Sequence, residues 1–347
     1  MSRVLVAMSG GVDSSAAALI MKKKGWEVEG VTMSLFGDTS DEAADARGVA
    51  EKLGFPFRVL DLRDEFKREV VDPFTAAYIE GRTPNPCILC NKSMKFGRLM
   101  QEAEKLGCDA IATGHYARID TDGGYPVLKK AADPSKDQSY VLYTLERDLL
   151  SRICFPLGDI VSKDETRKIA AEAGLANSKK KESQDICFIP DGDYASFIEK
   201  TGYVPECGEF VDEEGRVLGE HRGMIRYTTG QRKGLGISAL PEPYYVIAKD
   251  PAENRIVLGP NDRLFRRDLS AAGANWLLYS REDVPEEIRC AAKIRYRAKE
   301  APCTVYIRKG DPSRFDLMFD EPQRAITPGQ SVVLYDGDIV IGGGTIE

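Results

Sequence analysis

The sequence has no long hydrophobic run, no dense set of cysteines and no excess of positive charge. None of its apolar stretches reaches the roughly 18 to 20 residues that a membrane-spanning helix needs. The first residues lack the layout of a signal peptide, because their short apolar stretch runs directly into glycines. We therefore expect a cytoplasmic protein that has no membrane partner.

Cysteine and basic charge are both limited. Eight cysteines are spread over 347 residues, unlike the clustered cysteines of small disulfide-stapled secreted domains. We expect most of them to be reduced. The formal net charge of −7 argues against a protein coated by nucleic acid over its whole surface. It leaves room for a local basic groove, because phosphate contacts depend on where Lys and Arg lie.

The chain is too long for one ordinary core, and its length suggests two or three domains. Over the first 115 residues, short apolar runs alternate with amphipathic stretches that end at glycines such as Gly25 and Gly54. This alternation is typical of a parallel sheet with right-handed crossovers. Further on, Ser162 and Glu165 have the spacing of a capping box that begins a helix.

After about residue 205, many glycines and prolines separate short β-rich runs, a pattern typical of small antiparallel barrels. The predicted fold class is α/β, with a Rossmann-like parallel-sheet domain followed by two small β-rich, barrel-like domains. The predicted boundaries are 1–205, with a helical extension over 143–205, then 206–270 and 271–347.

The stretch SGGVDS, residues 9–14, joins the first predicted strand directly to the first predicted helix. Its glycines let the backbone approach an anion, and the helix N-terminus directs positive charge at it. The loop lacks the Gly-Lys-Ser/Thr of a Walker motif and the G-x-G-x-x-G of dinucleotide sites. The pattern predicts a phosphate site of another type, with a plain turn of small residues as the alternative.

Two cysteines, Cys87 and Cys90, stand three positions apart in TPNPCILCNKSMKFG, before a basic predicted helix. Such a pair can hold a metal, exchange electrons as a disulfide or supply a nucleophile. Three other cysteines lie beside apolar residues, and we expect them in the core: Cys154, Cys290 and Cys303.

Two segments are candidates for RNA contact. In KIRYR, we expect a strand whose alternation places Lys293, Arg295 and Arg297 on one face and Tyr296 on the other, and such a basic stripe suits phosphate contacts. The glycine-rich residues 220–237 are either a solvated loop or a loop that becomes ordered over an RNA backbone.

The SGGVDS loop resembles the PP-loop of the ATP pyrophosphatase superfamily, whose members cleave ATP between the α and β phosphates. Six motifs together resemble the tRNA-specific 2-thiouridylase family: TPNPCILCNKSMKFG, ATGHYAR, KDQSYVLYTL, ESQDICFIPDGDY, RYTTGQRKGLGI and KIRYR.

The resemblance implies an enzyme that adenylates the C2 oxygen of the wobble uridine in tRNAs for Lys, Glu and Gln. Sulfur from a cysteine persulfide then displaces AMP. It implies ATP and Mg²⁺ as cofactors. The implied partners are the tRNA anticodon stem-loop and a sulfur-donor protein such as a cysteine desulfurase or sulfur carrier.

The same resemblance implies residue roles. Cys90 is the nucleophile, and Cys187 carries the persulfide and forms a transient disulfide with Cys90. The ATP-binding positions are Ala7, Met8, Ser9, Gly10, Gly11, Val12, Asp13, Ser14, Met33 and Gly114, with Asp13 also placing Mg²⁺. The target base is contacted by Asn85, Pro86 and Cys87. The tRNA contacts are His115, Lys136, Asp137, Gln138, Arg295, Tyr296 and Gln330.

Cys87 departs from the family pattern, because many members carry Asp there, which can act as an acid or base. The acid–base role is therefore open. The substitution also creates a set of Cys87, Cys90 and Cys187 that can hold three irons of a [4Fe-4S] cluster, with the fourth iron binding hydrosulfide. A zinc site would need a fourth ligand, from Cys108, Cys207 or His115.

Two other functions remain open: a PP-loop ligase or amidotransferase for a small molecule, and a tRNA-binding or iron–sulfur carrier protein without catalysis.

Overall fold

The computed structural model describes residues 1–174, 186–237 and 242–347. Its α-helices are α1 (Val12–Lys23), α2 (Ser40–Leu53), α3 (Arg63–Phe66), α4 (Asp72–Ile79), α5 (Pro86–Cys90), α6 (Leu99–Lys105), α7 (Lys163–Glu172) and α8 (Tyr194–Glu199). π-helical segments cover Lys67–Val71 and Asn91–Arg98, and 3₁₀ segments cover Ser139–Leu142, Arg147–Arg152, Met224–Arg226 and Asn261–Leu264. None of the helices in the described ranges is long and apolar enough to span a membrane.

The strands of the first half are β1 (Arg3–Ala7), β2 (Glu27–Ser34), β3 (Phe57–Asp61), β4 (Ala110–Ala112), β5 (Arg118–Asp122), β6 (Tyr125–Lys129) and β7 (Ile153–Cys154). Those of the second half are β8 (Gly208–Val211), β9 (Val217–His221), β10 (Tyr245–Asp250), β11 (Arg255–Gly259), β12 (Phe265–Trp276), β13 (Glu287–Lys293), β14 (Ala301–Ile307), β15 (Arg314–Arg324), β16 (Ser331–Asp336) and β17 (Ile339–Ile346).

A five-stranded parallel sheet organises the first half of the chain, in the order β3-β2-β1-β4-β7. The middle of β1 is inaccessible to solvent at Val4, Leu5 and Val6, as expected for a parallel strand covered on both faces. The predicted Rossmann-like α/β fold is confirmed. The predicted helix start at Ser162 is also confirmed, because the side chain of Ser162 accepts a hydrogen bond from the Glu165 amide at 3.3 Å where α7 begins.

The second half is β-rich, as predicted. Strands β10-β11-β8-β9 form a small sheet. Strands β12-β15-β14-β13-β16-β17 form a barrel that closes through the β12–β17 pairing. Its interior is filled by apolar side chains from alternate positions, such as Val305, Phe315 and Phe319. The domain boundaries at residues 205 and 270 stay predictions.

The hairpin of β5 and β6 belongs to the first half of the chain but extends the barrel sheet. The hairpin joins the barrel by strand pairing between Lys129 on β6 and Ile339 on β17. An ion pair also joins Arg118 to Asp338 at 2.9 Å. Because β-strand pairing at an edge depends on tertiary proximity, local sequence patterns did not predict this connection. It fixes the barrel against the α/β domain.

The prediction that KIRYR continues as a strand is wrong. Strand β13 ends at Lys293, and the chain turns there, with the Ala298 amide donating to the Arg295 carbonyl at 3.0 Å. Ile294 is buried in the barrel core, which draws the chain inward at this point. The basic residues therefore lie on a turn and do not form a stripe along one strand face.

Candidate active site

The SGGVDS loop lies at the carboxyl end of β1, next to β2. The Met8 amide donates to the Val31 carbonyl at 2.8 Å, and the Thr32 hydroxyl donates to the Met8 carbonyl at 2.6 Å. Within the loop, the Ser14 hydroxyl donates to the Gly11 carbonyl at 3.1 Å and accepts from the Ser9 amide at 3.1 Å. The predicted ATP positions on β1 and β2, Met33 included, therefore share the edge where ligands bind in α/β sheets.

Gly114 is brought against the same loop from β4. A Cβ atom at this position would lie 2.9 Å from both the Asp13 carbonyl carbon and the Ser14 nitrogen. Carbon atoms at that separation overlap, so the loop can pass β4 only where residue 114 has no side chain. The structure thus unites Gly114 with the other predicted ATP positions.

The carboxylate of Asp13 has two partners that sequence reasoning missed. The Tyr116 hydroxyl donates to Oδ1 of Asp13 at 2.8 Å, and the Lys163 ammonium donates to the same oxygen at 2.5 Å. Lys163 is the first residue of α7, and its side chain is only 10% exposed. The loop contains no lysine of its own, so the fold supplies one from a distant helix. The only sequence signal was its place beside the capping residue Ser162.

Cys87 and Cys90 lie on the short helix α5. Pro86 occupies its first turn, and Asn85 caps it by accepting from the Cys87 amide at 3.1 Å; both are residue types that favour a helix start. Cys87 is exposed, whereas Cys90 is buried in an apolar cluster with Val70, Phe74 and Met94. Burial raises the pKa of Cys90 to about 12, because a low-dielectric environment disfavours the thiolate.

Cys187 is exposed and lies close to these two thiols. Although the Cys187 side chain reaches solvent, desolvation by the surrounding protein, the first cause, and the nearby Cys87 raise its pKa. Cys187 in turn contributes to the raised pKa of Cys90. The adjacent Phe188 anchors the segment, because its ring packs 5.6 Å from that of Phe66 and 5.4 Å from that of Phe74. Residues 182–185 of this motif lie outside the described residues. The fold therefore unites three cysteines from two distant motifs.

These cysteines are not arranged as metal ligands. Among residues 1–174, 186–237 and 242–347, no group of three or more Cys, His, Asp or Glu side chains has the geometry to hold a metal ion. Cluster ligands must converge as thiolates on one centre, whereas Cys90 points into an apolar core and holds its proton. The [4Fe-4S] and zinc hypotheses are therefore not supported.

Two predicted tRNA contacts of the barrel lie beside the cysteine motif. The Gln330 side chain donates to the Thr83 carbonyl at 2.7 Å, and the Thr83 amide donates to the Pro328 carbonyl at 2.9 Å. Tyr296 is 39% exposed, and its hydroxyl donates to the Asp137 carbonyl at 3.3 Å. Burial, the first cause, and the nearby Cys87 raise the pKa of Tyr296, so this ring also faces the motif.

Other predicted tRNA contacts have side chains that serve the protein itself. Asp137 is buried and accepts from Ser139 at 2.8 Å, and Gln138 accepts from the Tyr116 amide at 2.9 Å. His115 is 7% exposed, with Nδ1 2.7 Å from the Thr113 hydroxyl. Burial lowers the pKa of His115 well below its usual value, and the charge of Lys95 adds to the effect.

Lys136 is partly exposed, and Arg295 reaches the Arg324 carbonyl at 3.0 Å while staying at the surface. Both are placed where a phosphate can approach them. The roles of all these residues toward tRNA stay predictions.

Comparison with known proteins gives three family-model matches. The "tRNA methyl transferase HUP domain" matches residues 2–191, the "tRNA methyl transferase PRC-barrel domain" matches residues 195–260, and the "Aminomethyltransferase beta-barrel domain" matches residues 266–346. A solved 4-thiouridine synthetase–RNA complex with bound ATP aligns over 57% of this chain and 50% of that chain, at 21% identity and a TM-score of 0.38. At that score the alignment does not by itself establish a common fold.

Full-length relatives are much closer. The tRNA-specific 2-thiouridylase MnmA of Syntrophotalea carbinolica is 49% identical, covering 99% of this chain and 98% of the relative. The MnmA of Moorella thermoacetica is 49% identical, covering 99% of this chain and 99% of the relative. The MnmA of Clostridioides difficile is 47% identical, covering 99% of this chain and 98% of the relative. The chain therefore belongs to the family of tRNA-specific 2-thiouridylases.

Proposed function

We propose that this chain is an ATP-dependent tRNA-uridine 2-sulfurtransferase that converts the wobble uridine of tRNAs for Lys, Glu and Gln into 2-thiouridine. The observation that carries the proposal is the placement of Cys187 beside Cys90, in a motif whose Cys87 lies near the barrel residue Tyr296 and whose Thr83 is held by Gln330. A target base held at Asn85, Pro86 and Cys87 then lies within reach of both thiols and of the barrel.

The first step activates a poor leaving group. The C2 oxygen of uridine attacks the α-phosphorus of ATP, an O–P bond forms, the bond to the bridging oxygen breaks, and pyrophosphate leaves. The loop of residues 9–14 binds the phosphates at the N-terminus of α1, where the helix dipole favours negative charge. Lys163, held against Asp13, adds a positive charge at that end.

A divalent cation fits the same end of the site. The carboxylate of Asp13 lies in the first turn of α1, at the end of the loop, and supplies hard oxygen atoms there. Such a carboxylate together with nucleotide phosphates is the usual environment of Mg²⁺. When bound, Mg²⁺ offsets the negative charge of the phosphates.

The second step transfers sulfur. The terminal sulfur of the Cys187 persulfide, as its anion, attacks C2; a C–S bond forms, the C–O bond breaks and AMP leaves. The Cys90 thiolate then attacks Sγ of Cys187, which breaks the bond to the transferred sulfur and leaves a disulfide between the two cysteines. An external thiol reductant reduces this disulfide by two electrons before the next turnover.

Burial supports this division of roles. The exposed Cys187 can meet a sulfur-donor protein, such as a cysteine desulfurase or sulfur carrier, whereas the buried Cys90 is shielded from the surface. Desolvation by the surrounding protein also raises the pKa of the Cys87 thiol, which disfavours its thiolate. An aspartate at this position would supply a carboxylate as the general base, and Cys87 has none.

The test combines ATP, tRNA and a small-molecule persulfide with the purified protein. Pyrophosphate release reports the first step, and mass spectrometry of tRNA nucleosides reports the second. We expect Asp13→Ala to abolish both signals, and Cys187→Ser to retain pyrophosphate release while blocking 2-thiouridine formation. Cys207→Ser is the matched control, because Cys207 is exposed but is not one of the three clustered thiols. Pyrophosphate release driven by a small metabolite and not by tRNA would refute the proposal in favour of a ligase.

A further inference from the structure

The helix that follows Cys90 is wound as a π-helix over Asn91–Arg98, with Cys90 as its N-cap. The Leu99 amide bonds to the Met94 carbonyl, which shows the i→i+5 pattern directly. In an α-helix, a residue five positions on is rotated by about 140° around the axis. In a π-helix the i→i+5 hydrogen bond brings the same residue back above the first one, one turn along the axis. The wider turn therefore brings Lys95 toward the side of the helix that carries Cys90.

Gly97 allows this winding. A Cβ atom at Gly97 would lie 3.0 Å from the carbonyl oxygen of Lys92, the residue five positions before it. That contact is shorter than an ordinary van der Waals distance, so a side chain here would press against the π-turn. Single π-turns inside helices are rare and are found frequently at functional sites. The sequence NKSMKFG thus encodes a wide turn directly behind the reactive cysteine.

Lys95 is partly buried, and its charge acts on every thiol of the site. It lowers the pKa of Cys90, Cys87 and Cys187 against the stronger effect of burial. The other groups that act on Cys90 are the two thiols themselves, and both raise its pKa. The surrounding cluster contributes apolar side chains such as Val71, Met94 and Phe188. Among the described residues that act on the Cys90 thiol, Lys95 alone favours its thiolate.

We propose that Lys95 acts through Cys90, stabilising its thiolate when it attacks Sγ of the sulfur-loaded Cys187, and that the π-turn serves to place it there. This inference rests on the proposed roles of the two cysteines. The reaction needs a charged nucleophile inside an apolar pocket, and a partly buried ammonium whose charge acts on the thiol is the direct electrostatic means of obtaining one. No metal and no additional base are required.

The test isolates the attack by Cys90 from the tRNA reaction. Cys187 is loaded with sulfur from a small-molecule persulfide, excess donor is removed, and hydrosulfide release is followed without tRNA between pH 7 and 10. In that assay the Cys90 thiolate displaces hydrosulfide from Cys187 and leaves the disulfide, so the rate reports the thiolate fraction. Peptide mapping by mass spectrometry confirms which two sulfurs are joined.

We expect Lys95→Met to release hydrosulfide about tenfold more slowly at each pH below the pKa of Cys90. The reason is that losing one nearby positive charge raises the pKa of the thiol by about one unit. Lys95→Arg should restore most of the rate, since it keeps the charge. Lys92→Met is the matched control: Lys92 lies on the same π-helix but is exposed, so its removal should leave the rate unchanged.

The outcomes separate the inference from the proposed function. If wild-type protein releases hydrosulfide and forms the disulfide but Lys95→Met does so at the same rate and with the same pH profile, Lys95 has no such role and the thiolation proposal stands. If Lys95→Arg is as slow as Lys95→Met, the residue acts through packing and the inference is refuted. If wild-type protein forms no disulfide between Cys90 and Cys187, the proposed cysteine roles themselves fail.

Discussion

Replacement of Gly114 by alanine tests whether the close approach of β4 to the phosphate loop sets the geometry of the ATP site. The added methyl carbon would lie 2.9 Å from backbone atoms of Asp13 and Ser14, and ordinary contact begins at 3.4 Å, so the loop or the strand must move by at least 0.5 Å (3.4 − 2.9). Neither moves easily, because Ser14 belongs to the first turn of α1 and β4 is hydrogen-bonded to β1.

The size of the effect follows from that displacement. A misplacement of about 1 Å in a catalytic site can cost roughly 100-fold in rate, so half of it should lower kcat/KM for pyrophosphate release by about tenfold. Overpacking at a rigid contact also costs roughly 1 to 3 kcal/mol of folding free energy. Pyrophosphate release, nucleotide affinity by calorimetry and unfolding in urea measure these quantities.

Gly48→Ala provides the matched control. Gly48 lies on the exposed side of α2, and a Cβ there would meet nothing within 4 Å. Alanine favours a helix over glycine by about 1 kcal/mol, so this variant should be more stable and fully active. If Gly114→Ala binds ATP and releases pyrophosphate like the wild type, the loop tolerates displacement and the reasoning about this contact is wrong.

Three further predictions concern RNA affinity, pH and the barrel contact. Arg295→Ala should weaken tRNA binding and reduce the slope of log K against log salt by roughly one phosphate contact. Arg289→Ala is the control, because the Arg289 guanidinium pairs with Asp320, and it should leave the slope unchanged. Equal slopes in the two variants would remove Arg295 from the interface. Because burial lowers the pKa of His115 in the folded state, the stabilisation it gives is present above the unfolded pKa and is lost as pH falls. Urea unfolding of His115→Gln should therefore depend less on pH between 7.5 and 5.5 than that of the wild type, and an identical dependence would contradict the assignment. Gln330→Ala should raise the KM for tRNA without slowing hydrosulfide release, since it removes the hydrogen bond that holds the Thr83 carbonyl; an unaltered KM would show that this contact does not position the RNA.

The sequence by itself determined the features that local chemistry controls. Apolar runs alternating with amphipathic stretches predicted the parallel sheet, the spacing of Ser162 and Glu165 predicted the start of α7, and the two glycines after β1 predicted the phosphate loop. These features depend on residues that are neighbours in the chain. Motif order added the family and the candidate catalytic cysteines.

The tertiary structure alone decided which distant groups meet. Lys163 reaches Asp13 from another helix. Gln330, near the opposite end of the chain, donates a hydrogen bond to the Thr83 carbonyl. The chain turns at Arg295, where a strand was predicted, because Ile294 is buried in the barrel core. Long-range packing outweighs local preference at such places, because burial and hydrogen bonding there involve residues far apart in sequence.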